Sequence, residues 1–115
     1  MPTDVMKIIS IAKDFSETPG PRAQDEGDFS GEQFLREILR PAYMQAVRDG
    51  ITLTVDLDGT EGYATSFLEA TFGGLAREFD AAEINRVIKF KSDDEPFLVN
   101  EIKQYIADAR NARKR

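Results

Sequence analysis

At 115 residues, with 41% apolar and 31% charged side chains, the chain has the composition of one globular domain able to bury a core. It contains no Cys, no His and no Trp. Disulfides, thiolate or imidazole zinc sites, cysteine nucleophiles, histidine general bases and Ser-His-Asp triads are therefore excluded within it. A formal net charge of −6 argues against a nucleic-acid partner, because phosphate contacts require a basic face. The dense basic stretch RNARKR, residues 110–115, reads as cations complementing a helix C-terminus. The sequence holds no apolar run of about 18 residues, so neither a membrane span nor a membrane partner is expected. The opening MPTDVMKIIS lacks the pattern of a secretory signal, which makes the cytoplasm the expected compartment.

In chain order, VMKIISIA (5–12) predicts a first strand. The Pro- and Gly-containing stretch from 15 to 30 predicts a long loop with a short hairpin strand inside it. A helix is predicted over 31–49, with Leu35, Ile38, Leu39, Ala42 and Ala46 as its apolar stripe. Ser30 and Gln33 form a capping box at its start, Phe29 and Phe34 sit at the staple positions, and Asp49-Gly50 ends it. Pro41 predicts a kink or break near Arg40. ITLTVDL (51–57) alternates cleanly and predicts a strand covered better on one face than the other. A second helix is predicted over 66–79, with Leu68, Phe72, Leu75 and Phe79 on its inner face and Ser66 and Glu69 as another capping box. Within it, Gly73-Gly74 costs helix propensity, which close backbone packing would justify. A helical turn at 81–86, a strand at 87–91 and a final helix carrying Leu98, Ile102, Tyr105, Ile106 and Ala109 complete the chain, with N-cap candidates in 92–95 and Pro96 in the first turn. The alternation of strands and helices defines an α/β domain whose right-handed crossovers make the strands mainly parallel.

VDLDGT, residues 55–60, looks like the first motif of haloacid-dehalogenase-type phosphatases. That resemblance implies Asp56 as nucleophile, Asp58 as general acid, Lys89 or Lys91 holding phosphate, and Asp93 and Asp94 binding magnesium. In those enzymes the motif follows the first strand, whereas here it stands in mid-chain. The plainer reading is a strand ending in a turn of the kind Asp and Gly commonly make.

A second resemblance covers more of the chain. The pieces DFSGEQFLREILRPAYMQA, ITLTVDLDG and GYATSFLEATFGGLAREF, within residues 28–79, resemble the STAS-like family of unknown function, which is similar to the STAS domains of sulfate transporters and anti-sigma-factor antagonists. With the first strand and the last helix, the likeness spans most of 5–109. It implies one domain over 1–115 with a small mixed, mainly parallel β-sheet and about three to four helices packed largely on one side. It also implies a non-catalytic, cofactor-free module that binds a protein partner, such as a histidine-kinase-like ATPase. In the antagonists a VDL strand leads to a phosphorylated hydroxyl, and gap-free counting from Val55-Asp56-Leu57 places that hydroxyl on Thr65, with Ser66 beside it. Ala64 stands where the antagonists carry Asp, and Phe67 where they carry Gly. The partner-binding loop is then Asp58, Gly59, Glu61, Tyr63 and Phe67, with Tyr63 and Phe67 reading alternatively as core. A third reading is a sensor of small anions using the helix N-terminus at Ser66, with Arg22 and Arg77 as the cations to watch.

Overall fold

A computed structural model describes residues 6–113; Val5 of the expected first strand, and Lys114 and Arg115 of the basic tail, lie outside the described residues. The elements are β1 (Met6–Ser10), α1 (Ile11–Asp14), a 3-10 turn (Gln24–Glu26), α2 (31–49), β2 (Thr52–Asp56), α3 (65–78), α4 (Ala81–Val87), β3 (Ile88–Lys91) and α5 (Phe97–Arg113). The strands form one parallel sheet in the order β1-β2-β3. Ile9, Val55 and Phe90 lie in register across it, as do Ser10, Asp56 and Lys91 one residue further on.

Two right-handed crossovers that step the same way across a sheet put their helices on the same face. The burial pattern agrees. Leu53, Val55, Ile9 and Ile88 are buried beneath the helices, while Ile8 is 60% exposed and Thr54 and Lys89, its register neighbours, are on the open side. The one-sided alternation of β2 is therefore a direct consequence of strand order.

β1 is shorter than expected. Ser10 Oγ accepts from the Lys13 N–H (3.1 Å), and the Asp14 carboxylate accepts from the Ser10 N–H (2.8 Å), so the chain turns helical at Ile11. No strand forms in the 15–30 connection among the described residues. Its structure comes instead from a 3-10 turn and from Phe15, whose ring meets Phe29 (5.4 Å), Phe34 (5.1 Å) and Phe67 (6.3 Å). The staple is thus bridged through Phe15. Ser30 Oγ caps the Gln33 N–H (3.0 Å), but Gln33 reaches back to the Phe29 N–H (3.2 Å), one residue before the cap.

Helices α2 and α3 each contain a π turn, at Leu35–Leu39 and at Glu69–Gly73 respectively. In α2 this replaces the expected break. Pro41 lacks an N–H and crowds the carbonyl one turn back, and the wider turn before it absorbs that misfit without ending the helix. The extra residue also shifts the phase of the buried stripe. Phe34 and Leu39, five apart, are both fully buried, as are Phe67 and Phe72, and Tyr43 joins the core. α2 ends at Gly50, which takes the left-handed conformation (φ 68°) and returns its N–H to the Ala46 and Val47 carbonyls. α5 buries Leu98, Ile102, Ile106 and Ala109 against α3, as its stripe predicts. No helix among the described residues is long and apolar enough to cross a membrane.

α2 and α3 touch where neither has room for a side chain. A Cβ on Gly31 would lie 2.6 Å from the Phe67 carbonyl oxygen, and one on Gly74 would lie 2.8 Å from Leu35 Cδ2. The buried Thr71 hydroxyl donates to the Gly31 carbonyl (3.3 Å) at the same crossing. A backbone oxygen cannot move aside as a leucine methyl can. Gly31→Ala is therefore expected to cost about 1–3 kcal/mol in chemical unfolding. Gly74→Ala should cost less, because about 1 kcal/mol of helix propensity is recovered. Equal losses in the two variants would show that the Phe67 carbonyl does not limit the approach.

Candidate functional site

In a parallel sheet the carboxyl ends of all strands lie at one edge, so the segments following β1, β2 and β3 gather there. The loop 57–64 is held from both sides. The Leu57 N–H donates to the Lys91 carbonyl (2.8 Å), the Glu61 N–H to the Glu17 carbonyl (2.8 Å), and the Gly59 N–H to Asp94 Oδ2 (3.1 Å). Gly59 sits at φ 92°, with Ala12 Cβ 3.2 Å from where its own Cβ would be, so glycine is required there twice over.

Asp58 is the hub of this edge. Its Oδ1 accepts from the Asp94 N–H (2.9 Å), and its Oδ2 from the Asp93 N–H (3.1 Å) and Lys91 Nζ (2.7 Å). Lys91 also reaches Asp93 (3.0 Å). Its hydrogen bonds to Asp58 first and Asp93 second hold the ammonium above the ordinary lysine range. The Lys91 hydrogen bond, joined by the two backbone donors, pulls the Asp58 carboxyl down from 3.8 to about 2. Asp56 Oδ1 accepts from the Asp58 N–H (2.9 Å), closing an Asx turn.

The DxDGT motif therefore works as a turn lock. The Asp58 carboxylate spends its acceptor capacity on Lys91 and on the Asp93 and Asp94 amides, and Asp56 on the Asp58 amide. Lys91 is spent on Asp58 and Asp93, and Lys89 lies in register with Thr54 on the open face. Among the described residues no three acidic side chains converge as metal ligands.

The other expected site residues divide. Gly59, Glu61 and Thr65 are exposed, and Asp58, Tyr63 and Ser66 are half-buried. Phe67 is fully buried, stacked on Phe34 (6.3 Å) and tilted against Tyr63 (5.8 Å), so it offers no surface to a partner. It faces inward because the π turn that follows sets it in phase with Phe72. Tyr63 packs on the core and donates its hydroxyl to the Leu57 carbonyl (2.7 Å), and burial pushes that phenol up to about 12. The capping box at Ser66 and Glu69 does not form. The N-cap is Ala64, Thr65 is the first helical residue, and no side chain caps this end.

Glu69 is taken instead by the two arginines singled out in the sequence, Arg22 (2.5 Å) and Arg77 (2.6 Å). Their hydrogen bonds, that of Arg77 foremost, hold its carboxyl below the ordinary range against partial burial. Composition held only a faint signal for the Lys91 and Asp94 contributions to the edge. The acidic run Ser92–Glu95 was readable as helix caps, and its use against Asp58 depends on β3 lying beside β2.

Asp58→Ala is expected to lower stability by about 2 kcal/mol at neutral pH, through loss of charge-assisted hydrogen bonds. Folding depresses this carboxyl, so its contribution is complete above about pH 4 and is lost as pH falls through about 2. Unfolding curves of the two proteins should converge across that window. A gap that persists unchanged to the acid end would mean that the Asp58 charge does not hold the edge.

No curated protein and no solved structure was found to match the chain. The sequence model of one family, described as a STAS-like domain of unknown function, matches residues 30–97, from the α2 cap through α3 and β3 to the start of α5. With more than half of its length matched, the chain belongs to the family of STAS-like domains of unknown function.

Proposed function

We propose that the chain is a non-catalytic interaction module that docks a protein partner on the edge formed by Asp58, Gly59, Glu61 and Thr65, and that phosphorylation of the α3 start releases that partner. The observation that carries this reading is Thr65. It is exposed at the first position of a helix, and its hydroxyl makes no hydrogen bond within the described residues. Of the two hydroxyls Thr65 is the more accessible acceptor, since Ser66 is half-buried. The Asp58 network supports the reading by holding the neighbouring loop in one shape. A docking surface benefits from such preorganisation, because less ordering entropy is lost on binding. Likeness to the antagonist domains suggests a histidine-kinase-like ATPase as the partner.

A phosphate at Thr65 adds about −1.5 to −2 charges beside the positive end of the α3 dipole, so the fold tolerates it. A docked partner that presents an apolar or acidic surface to this loop does not, because it must desolvate the phosphate or is repelled by it. Affinity capture from the source cell is expected to recover an ATPase of the kinase type. Thr65→Glu should remain folded by circular dichroism and lose that protein. Ser66→Ala should change stability by less than about 0.5 kcal/mol, since Ser66 caps nothing. Undiminished capture by Thr65→Glu, or absence of added mass on incubation with the captured ATPase and ATP, would overturn the switch. Recovery of no partner at all would overturn the docking role.

A further inference from the structure

A second feature lies away from that edge. Between α2 and α3 runs an open groove of about 480 Å³, within the range of small-molecule sites, lined by Arg22, Arg36, Arg40 and Arg77 together with Glu32 and Glu78. Four guanidinium groups thus face one cleft in a chain of net charge −6. Ala70 and Gly74 form the α3 side of its floor, and their small size leaves the cleft open between the arginines.

Each arginine is already oriented by a carboxylate or amide. Arg22 and Arg77 each give one N–H to Glu69, Arg40 gives two to Glu78, and Arg36 bonds to Gln24 and Glu37. Most of the five N–H donors on each guanidinium remain free. Glu69, held between two guanidiniums, occupies a position suited to an external anion. Gly73 keeps that arrangement possible, because a Cβ there would lie 2.5 Å from Glu69 Oε2.

We infer that this groove binds a small phosphorylated organic anion, its phosphate oxygens bridging Arg77, Arg22 and Arg40 in place of the Glu69 and Glu78 carboxylates. The exchange is favourable for two reasons. Solvent-exposed ion pairs contribute little. A phosphate offers more acceptor oxygens and more charge than a carboxylate to the planar forks of several arginines. Among the described residues that line the groove none is aromatic, so recognition rests on the phosphate and not on stacking of a base.

Inorganic pyrophosphate, titrated calorimetrically at low ionic strength, is the probe. One saturable site is expected. Arg40→Ala and Arg77→Ala should each weaken binding at least about tenfold, which is about 1.4 kcal/mol. Glu69→Gln should tighten it, because it removes the internal competitor. If an alanine variant fails to fold, Arg77→Lys keeps the charge, removes the fork and should weaken binding in the same direction. Absence of saturable binding to both the wild type and Glu69→Gln would overturn the site, as would affinities unmoved by the arginine substitutions. Cosedimentation with phosphatidic acid vesicles that pyrophosphate does not compete away would overturn the small-molecule ligand in favour of a lipid headgroup.

Discussion

The backbone of α2 lies against the backbone of α3 at Gly31, where the Phe67 carbonyl leaves no space for a Cβ. From this crossing most of the remaining architecture follows. It brings Phe34 onto Phe67 and both onto Phe15, so the long 15–30 connection is anchored by aromatic rings without a strand of its own. It sets the Thr71 hydroxyl on the Gly31 carbonyl and satisfies the buried polar groups there. One turn along α2, Gly74 meets Leu35, and these two residues with Ala70 also line the arginine-bearing groove. A bulkier pair of helices would cover the sheet equally well and lose that groove.

The π turns are part of the same solution. A regular helix presents one stripe at a period of 3.6 residues, whereas each of these helices must meet the sheet, the other helix and a third element. The inserted residue rotates the second half of the helix relative to the first, so Phe67 can point at the aromatic cluster while Phe72 packs edge-on against Phe90 of β3 (5.4 Å). On α2 the same rotation carries Tyr43 inward to meet Phe79 (5.0 Å) and donate its hydroxyl to Glu83. Desolvation first and the Glu83 carboxylate second raise that phenol well above the ordinary tyrosine range.

Charge is distributed by region. Acidic groups concentrate at the carboxyl edge of the sheet, where Lys91 answers Asp58 and Asp93 among Asp58, Glu61, Asp93 and Asp94, and arginines concentrate between α2 and α3. A net charge of −6 hides this separation, since it averages an acidic edge with a groove in which four arginines outnumber two glutamates. The two surfaces are therefore suited to ligands of different kinds, and α3 contributes to both, with Thr65 at one and Arg77 at the other.

The alternation of Thr52 to Leu57, the helical stripe of Leu98 to Ala109, the Ser30 cap and the Asp49-Gly50 stop were all legible in the sequence, because each depends on neighbours within a turn or two. So was the family, through the glycines and polar positions around the helices. The cap at Ser66 was misread for the converse reason. Glu69 has a local use as a capping partner, but it pairs instead with Arg77 two turns on in the same helix and with Arg22, 47 residues away in sequence. Phe67 looked like a loop residue until the π turn set its phase, and that turn reflects how α2 and α3 pack. The depressed Asp58 carboxyl likewise requires β3 beside β2, since Lys91 and the Asp93 and Asp94 amides approach it only through the sheet. Local hydrogen bonding and periodicity are written along the chain. Which charge finds which partner is decided by distances that exist only after the strands and helices have packed.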